Sequence, residues 1–90
     1  MRNCYFEEKL RKKLSIVFMK DPRRYKILIK KIEEIINSNN IDHYKNLRKP
    51  LQDFKRVHID AHFVLVFKYE KNEDVIYFYD FDHHDKIYKK

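Results

Sequence analysis

The chain has no glycine, no tryptophan, two prolines and a single cysteine, Cys4. Without glycine, its tight turns have to be made by residues that carry a Cβ. One cysteine excludes an internal disulfide and fits a reducing cytoplasm. There is no apolar run long enough to span a membrane and no secretory leader pattern, so the expectation is a cytoplasmic protein. Ninety residues allow one domain, residues 1–90. A chain of this size buries only about 60% of its unfolded surface, so the core is thin and a substrate is expected in a shallow groove.

Charge and aromatic residues are what the chain does have. Aromatics make up 16%, enough to close a small core, and the net charge is +7. Residues 1–49 hold 14 Lys+Arg against 6 Asp+Glu, whereas residues 50–90 hold 7 against 8. The basic surface therefore belongs to the first half and to Lys45, Arg48 and Lys49 at its end. A polyanion such as RNA suits that surface. An acidic protein partner and an ordinary solvated helix face are the competing readings.

Periodicity predicts two helices followed by three strands. Phe6, Leu10, Leu14, Val17 and Phe18 recur at spacings of three and four, and so do Tyr25, Leu28, Ile29, Ile32, Ile35 and Ile36. Asp21 is placed to cap the second helix with Pro22 in its first position, where a missing N–H costs nothing. The polar run at residues 37–40 stops that helix. Residues 1–5 allow at most a brief edge strand. Strands are expected over residues 54–60, 62–69 and 75–81, with a tight glycine-free hairpin at Asp60-Ala61. Alternation sends Val57 and Ile59 toward the helices, and Phe54, Arg56 and His58 to the other face. Both faces of the second strand are apolar in its middle, which makes it central. The class is α+β: an N-terminal helical hairpin on a small, mainly antiparallel sheet, with residues 82–88 as a polar tail.

Three histidines sit where chemistry is possible. His58 lies near the end of the first strand, His62 opens the second and His84 follows the third. They can converge if the third and first strands lie close together. His83, one residue before His84 in an extended chain, is expected to point the other way. His43, alone in a connection, is given no role.

In this order the residues resemble the RelE/ParE superfamily of toxins. The likeness runs from Phe6 to Tyr88 and rests on Tyr44-Lys45-Asn46-Leu47-Arg48, the strand Phe63-Val64-Leu65-Val66-Phe67, and the ending His84-Asp85-Lys86-Ile87-Tyr88. The resemblance implies a type II toxin with a cognate RelB-like antitoxin and ribosome-dependent cleavage of mRNA, hence inhibition of translation. It matches His58 and His84 to the strand and C-terminal histidines of the YafQ type, Arg56 to a RelE-type lysine, and Tyr88 to the terminal aromatic of both. It departs at Val64 and Asp82, where the RelE type is basic. It departs also at His62, where the YafQ type is acidic, and at Lys45, where that type has a histidine.

The chemistry agrees with the histidines. Cleaving RNA without a metal or other cofactor needs a base for the 2′-hydroxyl, an acid for the 5′-oxygen and a cation on the phosphorane. Imidazole serves in either proton role near neutral pH. The expected catalytic set is His58, His62, His84, Arg56 and Tyr88, with Lys45, Arg48, Lys49 and Lys55 on the RNA. A zinc site made from His58, His62, His83, His84 and Asp85 is disfavoured, because the first pair spans a turn and no cysteine cluster supports it. A gyrase inhibitor of ParE type and a non-catalytic binding domain remain alternatives.

Overall fold

A computed structural model describes residues 2–88. The elements run β1 (Asn3–Phe6), α1 (Glu8–Lys20), α2 (Pro22–Asn37), a 3-10 turn (Ile41–His43), β2 (Lys55–Ile59), β3 (Phe63–Glu70), β4 (Val75–His83) and α3 (His84–Tyr88). The strands form one mixed sheet in the order β1-β4-β3-β2, with β1 parallel to β4 and the other pairs antiparallel. This is the α+β fold the patterning implied. The edge strand expected near the N-terminus is β1. Of its predicted span, Met1 lies outside the described residues. Phe6 ends β1 instead of opening α1, and it stacks on Phe78 with ring centroids 5.0 Å apart.

The junction of the two helices follows its sequence signals. The Asp21 side chain accepts a hydrogen bond from the Arg24 N–H at 3.1 Å, and Pro22 occupies the first turn of α2. Leu10 of α1 and Leu28, Ile32 and Ile35 of α2 are buried, packed on Ile59, Leu65, Phe67, Ile76, Phe78 and Phe81 of the sheet. Phe18, expected on the buried stripe, is 58% exposed and meets Tyr25 edge-on.

Two departures from simple strand patterning shape the sheet. Beside Val66 and Phe67 the register of β4 slips, so that Asp80 faces Val66 while Phe78 faces Phe67, leaving Tyr79 as the extra residue of a bulge. The bulge reverses the alternation, which lets Phe78 and Phe81, three apart, both join the core. It also carries β4 on to His83, two residues past the expected end, and the tail beyond becomes the helix α3. Left-handed backbone at Asp60 (φ 57°) and Asp74 (φ 55°) replaces the absent glycine in two turns. Aspartate is among the few side chains that visit this region readily. Each of these carboxylates is then held by an arginine, Arg23 on Asp60 and Arg2 on Asp74, both at 2.7 Å.

β1 pairs with Val75–Phe78, so among the described residues the second half of β4 has no strand on that side. Lys13 of α1 reaches that half, donating to Asp80 at 2.8 Å and to Asp82 at 2.9 Å. Burial pushes the Asp82 carboxyl up, but the bonds from Lys13 and the His83 N–H outweigh it, so its pKa lies below the usual range. The hydrogen bond from Arg23 likewise depresses Asp60, outweighing the opposing effect of desolvation. Carboxylates with depressed pKa values stabilise the fold above their unfolded pKa, and that contribution is lost as pH falls through the folded value. Stability is therefore expected to drop below about pH 4. Asp82→Asn should narrow the gap between the urea midpoints at about pH 7 and about pH 3. An unchanged gap would place the acid sensitivity elsewhere.

Candidate active site

The face of the sheet turned away from α1 and α2 carries the site. Val64 and Val66 of β3 are buried there by Leu47 from the long connection and Ile87 from α3. Arg56 and His58 of β2 pair with Val66 and Val64 and share this face. Between the connection and α3 runs a groove of about 420 Å³, lined by residues 46–51 with Arg56, Ile87 and Tyr88. Arg48, Lys49 and Arg56 supply its charge, and the Arg56 guanidinium lies 5.9 Å from the centre of the Tyr88 ring. Arg48 and Lys49, singled out from the charge pattern of the sequence, are among its lining residues.

At the end of the sheet next to this groove, three histidines meet. His62 lies in the turn between β2 and β3, one residue short of the strand it was expected to open. Its turn is held from α2: Arg23 binds Asp60, while Arg24 lies 3.6 Å from the same carboxylate and 4.1 Å from the centre of the Phe63 ring. From the other side, the His84 N–H donates to the His62 carbonyl at 2.8 Å, tying the start of α3 to the hairpin. As a result the His62 ring lies 5.9 Å from that of His83 and 6.2 Å from that of His84. His83 and His84 stack at 4.7 Å, and His84 stands 6.5 Å from Tyr88, one helical turn on. Tyr88 thus touches both the histidine cluster and the basic groove.

No family model matches the chain. A protein assigned as toxin RelE4 in Methanocaldococcus jannaschii is 54% identical over 83 residues, which cover 92% of this chain and 83% of that one. The chain belongs to the RelE toxin family. Solved structures agree in fold. A metal-bound toxin from Helicobacter pylori superposes with a TM-score of 0.75 at 23% identity, covering 97% of this chain and 99% of that one. The toxin of the intact Escherichia coli RelBE toxin–antitoxin complex gives 0.70 at 17%, covering 92% and 96%.

Within this RelE-family fold, the residues singled out from sequence are distributed unevenly. Arg48, Lys49, Arg56 and Tyr88 come together in the groove. Lys45 is exposed, and its carbonyl accepts the Arg56 N–H at 2.9 Å, placing it beside the groove. Lys55 does not fit the RNA-contact role. It is buried, with its ammonium donating to the Tyr44 carbonyl at 3.1 Å and to Asn46 at 3.2 Å, so it fastens the connection to β2. His58 stays outside the cluster, because β3 lies between β2 and β4 and the strands expected to adjoin do not. Its place in the cluster is taken by His83. Extended-chain alternation had turned His83 away from His84, but helix begins at His84 and swings the two rings together. The bulge at Tyr79 had already reversed the parity of β4. The only sequence signal for it is the three-residue spacing of Phe78 and Phe81.

Proposed function

We propose that this RelE-family chain is the toxin of a type II toxin–antitoxin pair and a metal-independent endoribonuclease that cuts mRNA on the ribosome in the cytoplasm. Residues 1–90 act as one domain in this reading. The observation that carries it is the continuity of the basic groove with His84 through Tyr88. The groove accepts a phosphate backbone on Arg48 and Lys49, with Lys45 at its rim, and Tyr88 offers an aromatic face for a base. Arg56 stands where charge on a phosphorane can be neutralised.

In this reading His84 and His58, the latter outside the histidine cluster but on the same sheet face as Arg56, divide the two proton transfers. One takes the proton of the 2′-hydroxyl, whose oxygen attacks the neighbouring phosphorus. The bond from phosphorus to the 5′-oxygen then breaks, and the other histidine protonates the departing oxygen. The products are a 2′,3′-cyclic phosphate and a 5′-hydroxyl.

The RelBE neighbour is a toxin–antitoxin complex. A comparable partner here suits the exposed Ile16, Phe18 and Met19 of α1, which leave an apolar patch, and an acidic segment suits the net charge of +7. The test is a translating extract supplied with the purified chain. The expected result is mRNA fragments with cyclic-phosphate and hydroxyl ends, and protection by the antitoxin. Intact mRNA together with inhibited DNA supercoiling by gyrase would overturn the reading in favour of the ParE type.

A further inference from the structure

The histidine cluster has a property that RNA cleavage does not use. One ring nitrogen from each of His62, His83 and His84 can be chosen so that all lie within 4.8 Å of one another, close enough to surround a single ion. We propose that these histidines bind one divalent transition-metal ion, of the zinc class, and that the bound ion switches cleavage off.

Three features support the site. Its donors come from two rigidly joined pieces of backbone, the hairpin turn and the start of α3, linked by the hydrogen bond from the His84 N–H to the His62 carbonyl. Asp85 lies beside two of the rings. Its carboxylate is 3.1 Å from Nδ1 of His84 and 3.6 Å from Nδ1 of His83. A carboxylate behind Nδ1 holds a metal-binding imidazole in the tautomer that leaves Nε2 free to ligate. In the free protein, Nδ1 of His83 accepts the Asp85 N–H at 3.2 Å. Ligation through Nε2 exchanges that bond for one from Nδ1–H to the Asp85 carboxylate. Lastly, the donor set consists of imidazoles without thiolate and is open to solvent on one side. Three imidazoles and a water suit Zn²⁺ in tetrahedral geometry, and Cu²⁺ is expected to bind more tightly by its general affinity order.

The consequence for activity rests on the function proposed above, whereas binding itself does not. A lone pair of His84 given to the ion is unavailable for proton transfer. An ion in the cluster also puts positive charge against Tyr88, one helical turn from His84.

The experiment uses the full chain without a polyhistidine tag, stripped with chelator and titrated with Zn²⁺ by calorimetry and by histidine ring-proton NMR. One equivalent is expected to bind, shifting the rings of His62, His83 and His84 and leaving those of His43 and His58 in place. His83→Ala should lose stoichiometric binding and keep metal-free mRNA cleavage, since His83 has no part in the proposed reaction. Zn²⁺ should suppress cleavage by the natural chain and leave His83→Ala active. No stoichiometric binding, or equal binding by His83→Ala, would overturn the site. Stoichiometric binding by a preparation that never cleaves mRNA would support the site and count against the nuclease reading alone. Cleavage by the natural chain unaffected by saturating Zn²⁺ would overturn the switch.

Discussion

Replacing His84 with alanine is expected to reduce mRNA cleavage by about 10²–10⁴-fold, the usual worth of a positioned proton-transfer group. The fold should survive. The hydrogen bond that His84 makes to the His62 carbonyl uses its backbone N–H, which alanine keeps. The ring itself is partly exposed, with 38% of the side chain open to solvent, so removing it leaves no buried cavity. His58→Ala should be comparably severe. The double variant should lose far less than the product of the two effects, because both groups serve one chemical event. The measurement is the rate of fragment formation in a translating extract without added transition metal, with circular dichroism as the control for folding. A fully active His84→Ala would remove His84 from the mechanism and leave Arg56 and Tyr88 as its candidates.

The largest effect on stability is expected at Phe67. This side chain is fully buried in the central strand β3, where its ring meets Tyr44 edge-on at 5.6 Å and Phe78 at 6.0 Å. It therefore joins the sheet both to β4 and to the connection that walls the groove. Truncation to alanine should cost about 3–5 kcal/mol. Small domains hold only about 5–15 kcal/mol in all, so the variant should approach the unfolding threshold at room temperature. Urea denaturation reads the loss directly, and Phe67→Leu supplies a milder change if the alanine variant does not fold. A loss below about 1 kcal/mol would mean that the surrounding residues collapse into the gap.

Tyr44 shows how closely the groove depends on the core. Its hydroxyl donates to Glu34 of α2 at 2.6 Å, and burial with that carboxylate pushes the phenol pKa well up. Its carbonyl accepts from buried Lys55. The basic segment that follows is thus anchored at its first residue to both α2 and β2. The cost of burying the Lys55 ammonium is offset by its two hydrogen bonds. A lysine that looked like a phosphate contact is instead part of what keeps Arg48 and Lys49 in place.

What the sequence determined by itself was whatever depends on short-range periodicity and residue chemistry. The two helices, their Asp21-Pro22 junction, the central position of β3 and the basic character of the groove all follow from spacings of two, three or four residues and from charge. These are local consequences of backbone geometry. Tertiary structure decided the identity of the histidine cluster. His62 and His84 are brought together by a backbone hydrogen bond across 22 positions of chain numbering, between residues 62 and 84. His83 joins them because a bulge reverses β4 and a helix starts one residue later. His58 is excluded because β3 intervenes. None of these follows from local pattern, since strand order and register are settled by how the whole sheet packs, and a one-residue shift moves every later side chain to the opposite face.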